Sequence, residues 1–201
     1  GDWSSDVCSS DLGECEMVSL ETPVCEFDAL APAFELSDVD GKIWTPSELV
    51  GEKGLLVMFI CNHCPYVKAV LERLVRDTRE LKTLGLNSVA IMSNDPTQYE
   101  EDSPQNMKII AEKFDFPFPY LLDESQAVAK SYGAVCTPDF FGYNSELKLQ
   151  YRGRLDESRK ETAPEGVRRD LFEAMREVVE TGAGPKEQIP SMGCSIKWLD
   201  E

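Results

Sequence analysis

Leu55-Leu56-Val57-Met58-Phe59-Ile60 runs directly into Cys61-Asn62-His63-Cys64-Pro65, and the reading of this stretch decides the fold. A continuous apolar run of this length, bounded by Gly54 and Cys61, matches a strand buried on both faces. Val67, Val70, Leu71, Leu74, Val75, Leu81 and Leu84 then recur at helical spacing as far as Gly85, a residue that tolerates the left-handed conformation of a helix end. The two cysteines therefore stand at a strand-to-helix corner. Unpaired N–H groups and partial positive charge at a helix N-terminus favour a thiolate there and make it the better nucleophile. His63, the one histidine of the chain, falls between the cysteines, where an imidazolium would stabilise the thiolate further. The second cysteine follows the first by one helical turn, close enough to form a disulfide with it.

Outward from this corner the strand–helix alternation continues. Towards the N-terminus, Phe34 to Asp38 and Lys42 to Trp44 flank Asp40-Gly41, a pair suited to a tight hairpin turn. Towards the C-terminus, Ser88 to Met92 reads as a strand, and Asp102-Ser103-Pro104 supplies cap residues and a first-turn proline ahead of a helix from Met107 to Phe114. Tyr120 to Leu122 is a short strand and Ser125 to Tyr132 a short helix closed by Gly133. Phe140 to Tyr143 and Lys148 to Tyr151 form a hairpin around Asn144-Ser145, and Val167 to Val179 is a last amphipathic helix. Beyond Thr181 the tail reads as loop. The order predicts one α/β domain with a mainly parallel sheet made mixed by its closing hairpin.

The full chain has 201 residues, 42% of them hydrophobic and 28% charged, the balance of a folded globular protein. With 37 acidic and 20 basic residues its formal charge is −17, which repels a phosphate backbone and an anionic membrane surface. Nucleic acid is thus excluded as an expected partner. The longest apolar run, Gly54 to Cys61, is far shorter than a membrane span. Residues 1–12 read GDWSSDVCSSDL, without periodicity or a signal-peptide layout. From Asp2 the string resembles the translation of a sequencing-adapter oligonucleotide, so residues 1–16 are expected to be a non-native leader and Met17 a start. Seven cysteines, or five without Cys8 and Cys15 of the expected leader, and no secretory pattern predict a reducing compartment, the cytoplasm, where such a pair is catalytic and not structural.

The segment Phe59 to Val67, together with Val135-Cys136-Thr137-Pro138 and the tail Pro190 to Trp198, resembles the thioredoxin superfamily, specifically its peroxiredoxin-like branch that carries a CxxC pair. The resemblance implies a thioredoxin-like fold over residues 17–185, a central mixed sheet flanked by helices with an N-terminal hairpin, and an extension over 186–201 that packs on it. It implies that Thr137-Pro138 is a cis-proline loop facing the cysteines and pairing with a substrate chain. The expected activity is thiol–disulfide exchange: Cys61 attacks a protein or small-molecule disulfide, Cys64 resolves the mixed disulfide, His63 tunes the thiolate, and a cellular thiol reductant reopens the pair. No cofactor or metal is called for.

The family pattern also differs here. In peroxiredoxins the peroxidatic cysteine, matched by Cys64, follows a proline and a threonine or serine whose positions are Val57 and Cys61 in this chain. The hydroxyl that orients a peroxide is missing, and Arg152 and Arg154 are the candidates for the accompanying arginine, with Asn62 as a further substrate-orienting group. Peroxide reduction, with Cys64 oxidised to a sulfenic acid and resolved by Cys61, is the second reading. A zinc or docking module, with Cys136, Cys194 or His63 completing a ligand set, is the third. Cys136 is balanced between a buried hydrophobe and a sulfur that exchanges with Cys61. Cys194 is expected to anchor the tail, with a third redox partner as the alternative, and Cys25 to be structural. The loop from Ser93 to Asp102 leaves a strand end where ligands gather, yet it reads first as a solvated acidic loop. The aromatics Phe114, Phe116, Phe118 and Tyr120 read as core packing.

Overall fold

The computed structural model describes residues 18–200, so the expected leader 1–16 and Met17 lie outside the described residues. In chain order the elements are β1 (Ser19–Glu21), β2 (Leu36–Asp38), β3 (Ile43–Trp44), α1 (Pro46–Leu49), β4 (Gly54–Phe59), α2 (Pro65–Thr83), β5 (Leu86–Met92), a 3-10 turn (Glu100–Asp102), α3 (Pro104–Lys113), β6 (Tyr120–Leu122), α4 (Ala127–Tyr132), β7 (Cys136–Thr137), β8 (Asp139–Asn144), β9 (Leu149–Tyr151), α5 (Asp170–Thr181) and β10 (Met192–Ser195).

The apolar run is β4, buried along its whole length, with β5 parallel on one side and β8 antiparallel on the other. The main sheet has the order β3-β2-β6-β5-β4-β8-β9 and is mixed. Because successive strand side chains point to opposite faces, β4 serves two cores. Leu56, Met58 and Ile60 belong to the cluster with Leu74 and Leu81 of α2 and Met175 of α5. Leu55, Val57 and Phe59 belong to the other, with Val128 and Tyr132 of α4 and Phe141 of β8. Each such side chain contributes about 1.5–3 kcal/mol by leaving water.

Local chemistry sets the element ends. At the β2–β3 turn Gly41 has φ +84° and the Asp38 carboxylate accepts the N–H groups of Asp40 and Lys42 at 2.9 and 3.0 Å. Ser103 caps α3 through the Asn106 N–H, and Gly85 follows α2 at φ +91°. Among the described residues no helix is long and apolar enough to cross a membrane.

The tail beyond Thr181 departs from the loop expected of it. Met192–Ser195 is a strand, β10, at the centre of a second sheet ordered β1-β10-β7. The sequence Met-Gly-Cys-Ser carries no alternation; its extended form depends on β1 and β7, which flank it antiparallel on both sides.

Candidate functional site

Antiparallel pairing of β4 with β8 sets Phe59 opposite Asp139, so the end of β4 and the segment entering β8 lie at the same edge of the sheet. Cys61 follows β4, and Thr137-Pro138, a cis peptide, precedes β8. The result is that one residue, Thr137, touches both sulfurs. Its hydroxyl lies 3.4 Å from Cys61 Sγ and its carbonyl oxygen 3.3 Å from Cys64 Sγ. Cys64 is the N-cap of α2, with Pro65 in the first turn.

The tail completes the site. β10 pairs with β7 so that Cys194 stands opposite Thr137, and Cys194 Sγ reaches 3.0 Å from Cys64 Sγ. Gly193 permits this approach, since a Cβ there would fall on the Thr137 carbonyl oxygen. The sequence reads Cys194 first as an anchor for the tail; in the fold that strand also brings it to Cys64. Cys136 lies in β7 with its thiol towards the Pro138 carbonyl at 3.7 Å, and burial raises its titration. Cys25 is pushed up to about 11, also by burial. All five described cysteines are thiols outside disulfides.

Charge is unevenly distributed over the three sulfurs. Cys64 is drawn far below its ordinary value by hydrogen bonds with Cys194 and then Cys61, with a smaller contribution from the Val67 N–H at the mouth of α2. Cys61 is pushed well up by burial, by its hydrogen bond with Cys64 and by the nearby Asp102. Cys194 is raised by its contact with Cys64 and by burial. As a thiol Cys64 donates to the Thr137 carbonyl; ionised, it accepts from its two sulfur neighbours. These surroundings favour ionisation at Cys64 over Cys61 and Cys194, whereas the sequence reading places the thiolate on Cys61.

The cysteine loop is held by a residue absent from the sequence-derived site. Asp102 is fully buried, and its Oδ1 accepts the backbone N–H groups of Asn62 and His63 at 2.7 and 3.2 Å. Its Oδ2 pairs with His63 Nδ1 and accepts from Asn94 Nδ2 at 3.2 Å. The ends of this loop, Ser93-Asn94 and Asp102, are thus buried parts of the site, while Thr97, Gln98, Glu100 and Glu101 between them are exposed, as expected of a solvated segment. Asp102-Ser103-Pro104 reads as cap residues, but Ser103 does the capping and leaves Asp102 free to turn inward; that redundancy was the available signal.

His63 makes no hydrogen bond with either sulfur among the described residues. Its ring stacks on Tyr99 at 3.8 Å and 2°, and its Nε2 is buried without a partner. Asn62 is likewise committed: Nδ2 donates to the Glu101 carbonyl at 2.7 Å, and Oδ1 accepts from Tyr120 Oη at 2.9 Å. Through these two bonds its side chain holds the loop, and Tyr120 does more than fill the core. Arg152 and Arg154 are also occupied elsewhere. Arg152 pairs with buried Asp139 at 2.9 Å and donates to the Gly133 carbonyl at 3.0 Å, and Arg154 pairs with Asp170 at 2.7 Å. Both lie just past β9, and neither guanidinium hydrogen-bonds a cysteine among the described residues.

Cys61 and Cys64 are 1% and 0% exposed. Cys61 nonetheless lines a cavity of about 190 Å³, walled by Ile60, Val67, Leu71, Ile110, Phe114 and Phe116, with Lys68 and Lys113 also lining it. Potential metal-ligating atoms of Cys61, His63 and Asp102 lie within 4.8 Å of one another. Both Asp102 oxygens are already occupied by the loop and His63, so this cluster is a clamp; Cys136 and Cys194 are not in it.

A match to the AhpC/TSA family extends over residues 28–155. The chain belongs to the AhpC/TSA family. Membership makes the protein a thiol-dependent oxidoreductase, and the fold is thioredoxin-like and peroxiredoxin-like. Among solved structures, this AhpC/TSA member is similar to an uncharacterized conserved protein from Geobacillus kaustophilus, at 43% identity and TM-score 0.87 over 92% of this chain and 99% of that one. It is similar also to a hypothetical protein from Sinorhizobium meliloti 1021, at 36% identity and TM-score 0.83 over 90% and 99%. A thioredoxin domain of a thiol-disulfide oxidoreductase from Bacteroides vulgatus shares the fold at 19% identity and TM-score 0.57, over 76% and 97%. Among curated proteins none matches the chain.

Proposed function

We propose that this protein is a thiol–disulfide oxidoreductase in which Cys61 and Cys64 cycle between dithiol and disulfide. The observation that carries the reading is geometric: Thr137 touches both sulfurs, and of the two only Cys61 lines the cavity, while the surroundings of Cys64 favour its ionisation. A substrate disulfide entering there meets Cys61 first. As Cys61 attacks one substrate sulfur, the substrate S–S bond breaks and the leaving sulfur takes the Cys61 proton. Cys64, as thiolate, then attacks Cys61 Sγ. The Cys61–Cys64 bond closes, and the second substrate sulfur leaves as a thiolate that solvent protonates. A cellular thiol reductant then supplies the two electrons that reopen the pair. The substrate is a protein or small-molecule disulfide, and the compartment proposed is the cytoplasm, where thiols are kept reduced. Thr137 serves as the peptide against which both sulfurs are held.

Trapping tests the order of events. Cys64→Ser is expected to accumulate a mixed disulfide on Cys61 with a disulfide substrate, seen as an adduct by intact mass. A mixed disulfide that forms on Cys64 in Cys61→Ser, and never on Cys61 in Cys64→Ser, overturns the assignment. A second reading, peroxide reduction at Cys64, draws on the charge that this sulfur carries and on the family. Rapid consumption of a first equivalent of peroxide that persists in Cys61→Ser and disappears in Cys64→Ser would establish it instead.

A further inference from the structure

We propose that Cys194 is a third redox cysteine, and that Cys64 forms disulfides alternately with Cys61 and with Cys194. Resting on the redox reading of Cys61 and Cys64, this adds a partner supplied by the C-terminal strand. Cys64 and Cys194 are 130 residues apart in the chain, yet their sulfurs stand 3.0 Å apart in the fold. Nothing about that approach is left to a flexible tail. The β7–β10 ladder sets Cys194 opposite Thr137, the residue that touches both other sulfurs. Ser191 Oγ donates to the Pro138 carbonyl at 2.8 Å, and the Thr22 N–H to the Ser191 carbonyl at 2.9 Å. Gly193 lets the strand lie against the cis peptide. Cys64 is thus the middle member of three sulfurs, with a partner on either side.

The step is an exchange within the oxidised enzyme and requires no further oxidant. Starting from the Cys61–Cys64 disulfide, Cys194 gives up its proton and attacks Cys64 Sγ. The Cys64–Cys194 bond forms, the Cys61–Cys64 bond breaks, and Cys61 leaves as a thiolate that takes the proton. Cys194 is oxidised as Cys61 is reduced, so the enzyme as a whole neither gains nor loses electrons. The disulfide moves from the cavity side to the strand side, staples β10 to the start of α2, and returns Cys61 to the cavity as a thiol.

The full chain and two variants test this by disulfide mapping. Each is reduced, oxidised with excess oxidised glutathione, alkylated and digested with trypsin. In Cys61→Ser the peptide Gly54–Lys68 is expected to be joined to Glu187–Lys197, and in Cys194→Ser the disulfide is confined within Gly54–Lys68. The wild type, mapped at partial oxidation, is expected to show both, which guards against a variant that folds poorly. Absence of the joined peptides in the wild type and in folded Cys61→Ser, while Cys194→Ser still closes Cys61–Cys64, overturns the role of Cys194 alone. Failure of Cys194→Ser to close Cys61–Cys64 would count against the redox pair itself.

Discussion

Replacing Asp102 by Asn removes the charge and keeps the shape of the side chain on which the cysteine loop closes. In the wild type Asp102 accepts from the N–H groups of Asn62 and His63, from His63 Nδ1 and from Asn94 Nδ2, all in buried surroundings. Asn can keep the two backbone bonds through its carbonyl oxygen, but its amide then presents a donor to Asn94 Nδ2. Bonds to a charged acceptor contribute about 1.5–3 kcal/mol each against about 0.5–1.5 for neutral ones, so losing the charge and one partner costs about 2–4 kcal/mol. With a urea m-value of about 2 kcal/mol/M, the unfolding midpoint falls by about 1–2 M. A second readout follows from the same charge, which helps to raise Cys61. In Asp102→Asn the Cys61 thiol ionises at lower pH, visible in its ultraviolet thiolate absorbance in a Cys64→Ser background. A midpoint shift below about 0.3 M together with an unmoved Cys61 titration would refute the clamp.

The Cys64 thiol, depressed in the folded state, makes stability depend on pH. Its contribution is complete above the ordinary thiol value and is lost as pH falls towards its folded value of about 2, at up to about 1.4 kcal/mol per pH unit. Urea midpoints of Cys64→Ser between about pH 6 and 8 are expected to be flatter than those of the wild type. Arg152→Ala strands the buried Asp139 carboxylate and is expected to cost about 3–5 kcal/mol, while the rate of disulfide exchange per folded molecule is unchanged. A lost rate at full stability would restore the substrate-orienting role to Arg152. Gln126→Ala removes the side chain that bonds the Ser93 and Lys197 carbonyls and the Leu199 N–H, each at 2.8 Å. About 1–3 kcal/mol of local stability is lost, and hydrogen exchange at Leu199 quickens.

Much of the scaffold was legible because it is decided locally. An unbroken apolar run can only be satisfied by burial on two faces, and it became β4. Helical spacing that ends at Gly85 became α2, and Asp40-Gly41 became the β2–β3 turn. The corner at Cys61–Cys64 and the facing Thr137-Pro138 followed from the residues and from family resemblance. The tail strand was not legible. Met192 to Ser195 has no pattern of its own, and its extended form comes from hydrogen bonds to β1 and β7. The arginines misled for a similar reason, since their charge is visible in the sequence but Asp139 and Asp170, which hold them, are chosen by packing.

The sequence by itself determined that two cysteines stand where a buried strand becomes a helix, because strand and helix periods are set by residues a few places apart. Only the tertiary structure decided which sulfur its surroundings favour for ionisation, what clamps the loop and where Cys194 goes. Those outcomes depend on contacts across 40 and 130 residues of chain, made at Asp102 and Cys194. Such contacts follow from how strands align in the sheets and from which groups burial leaves in need of a partner.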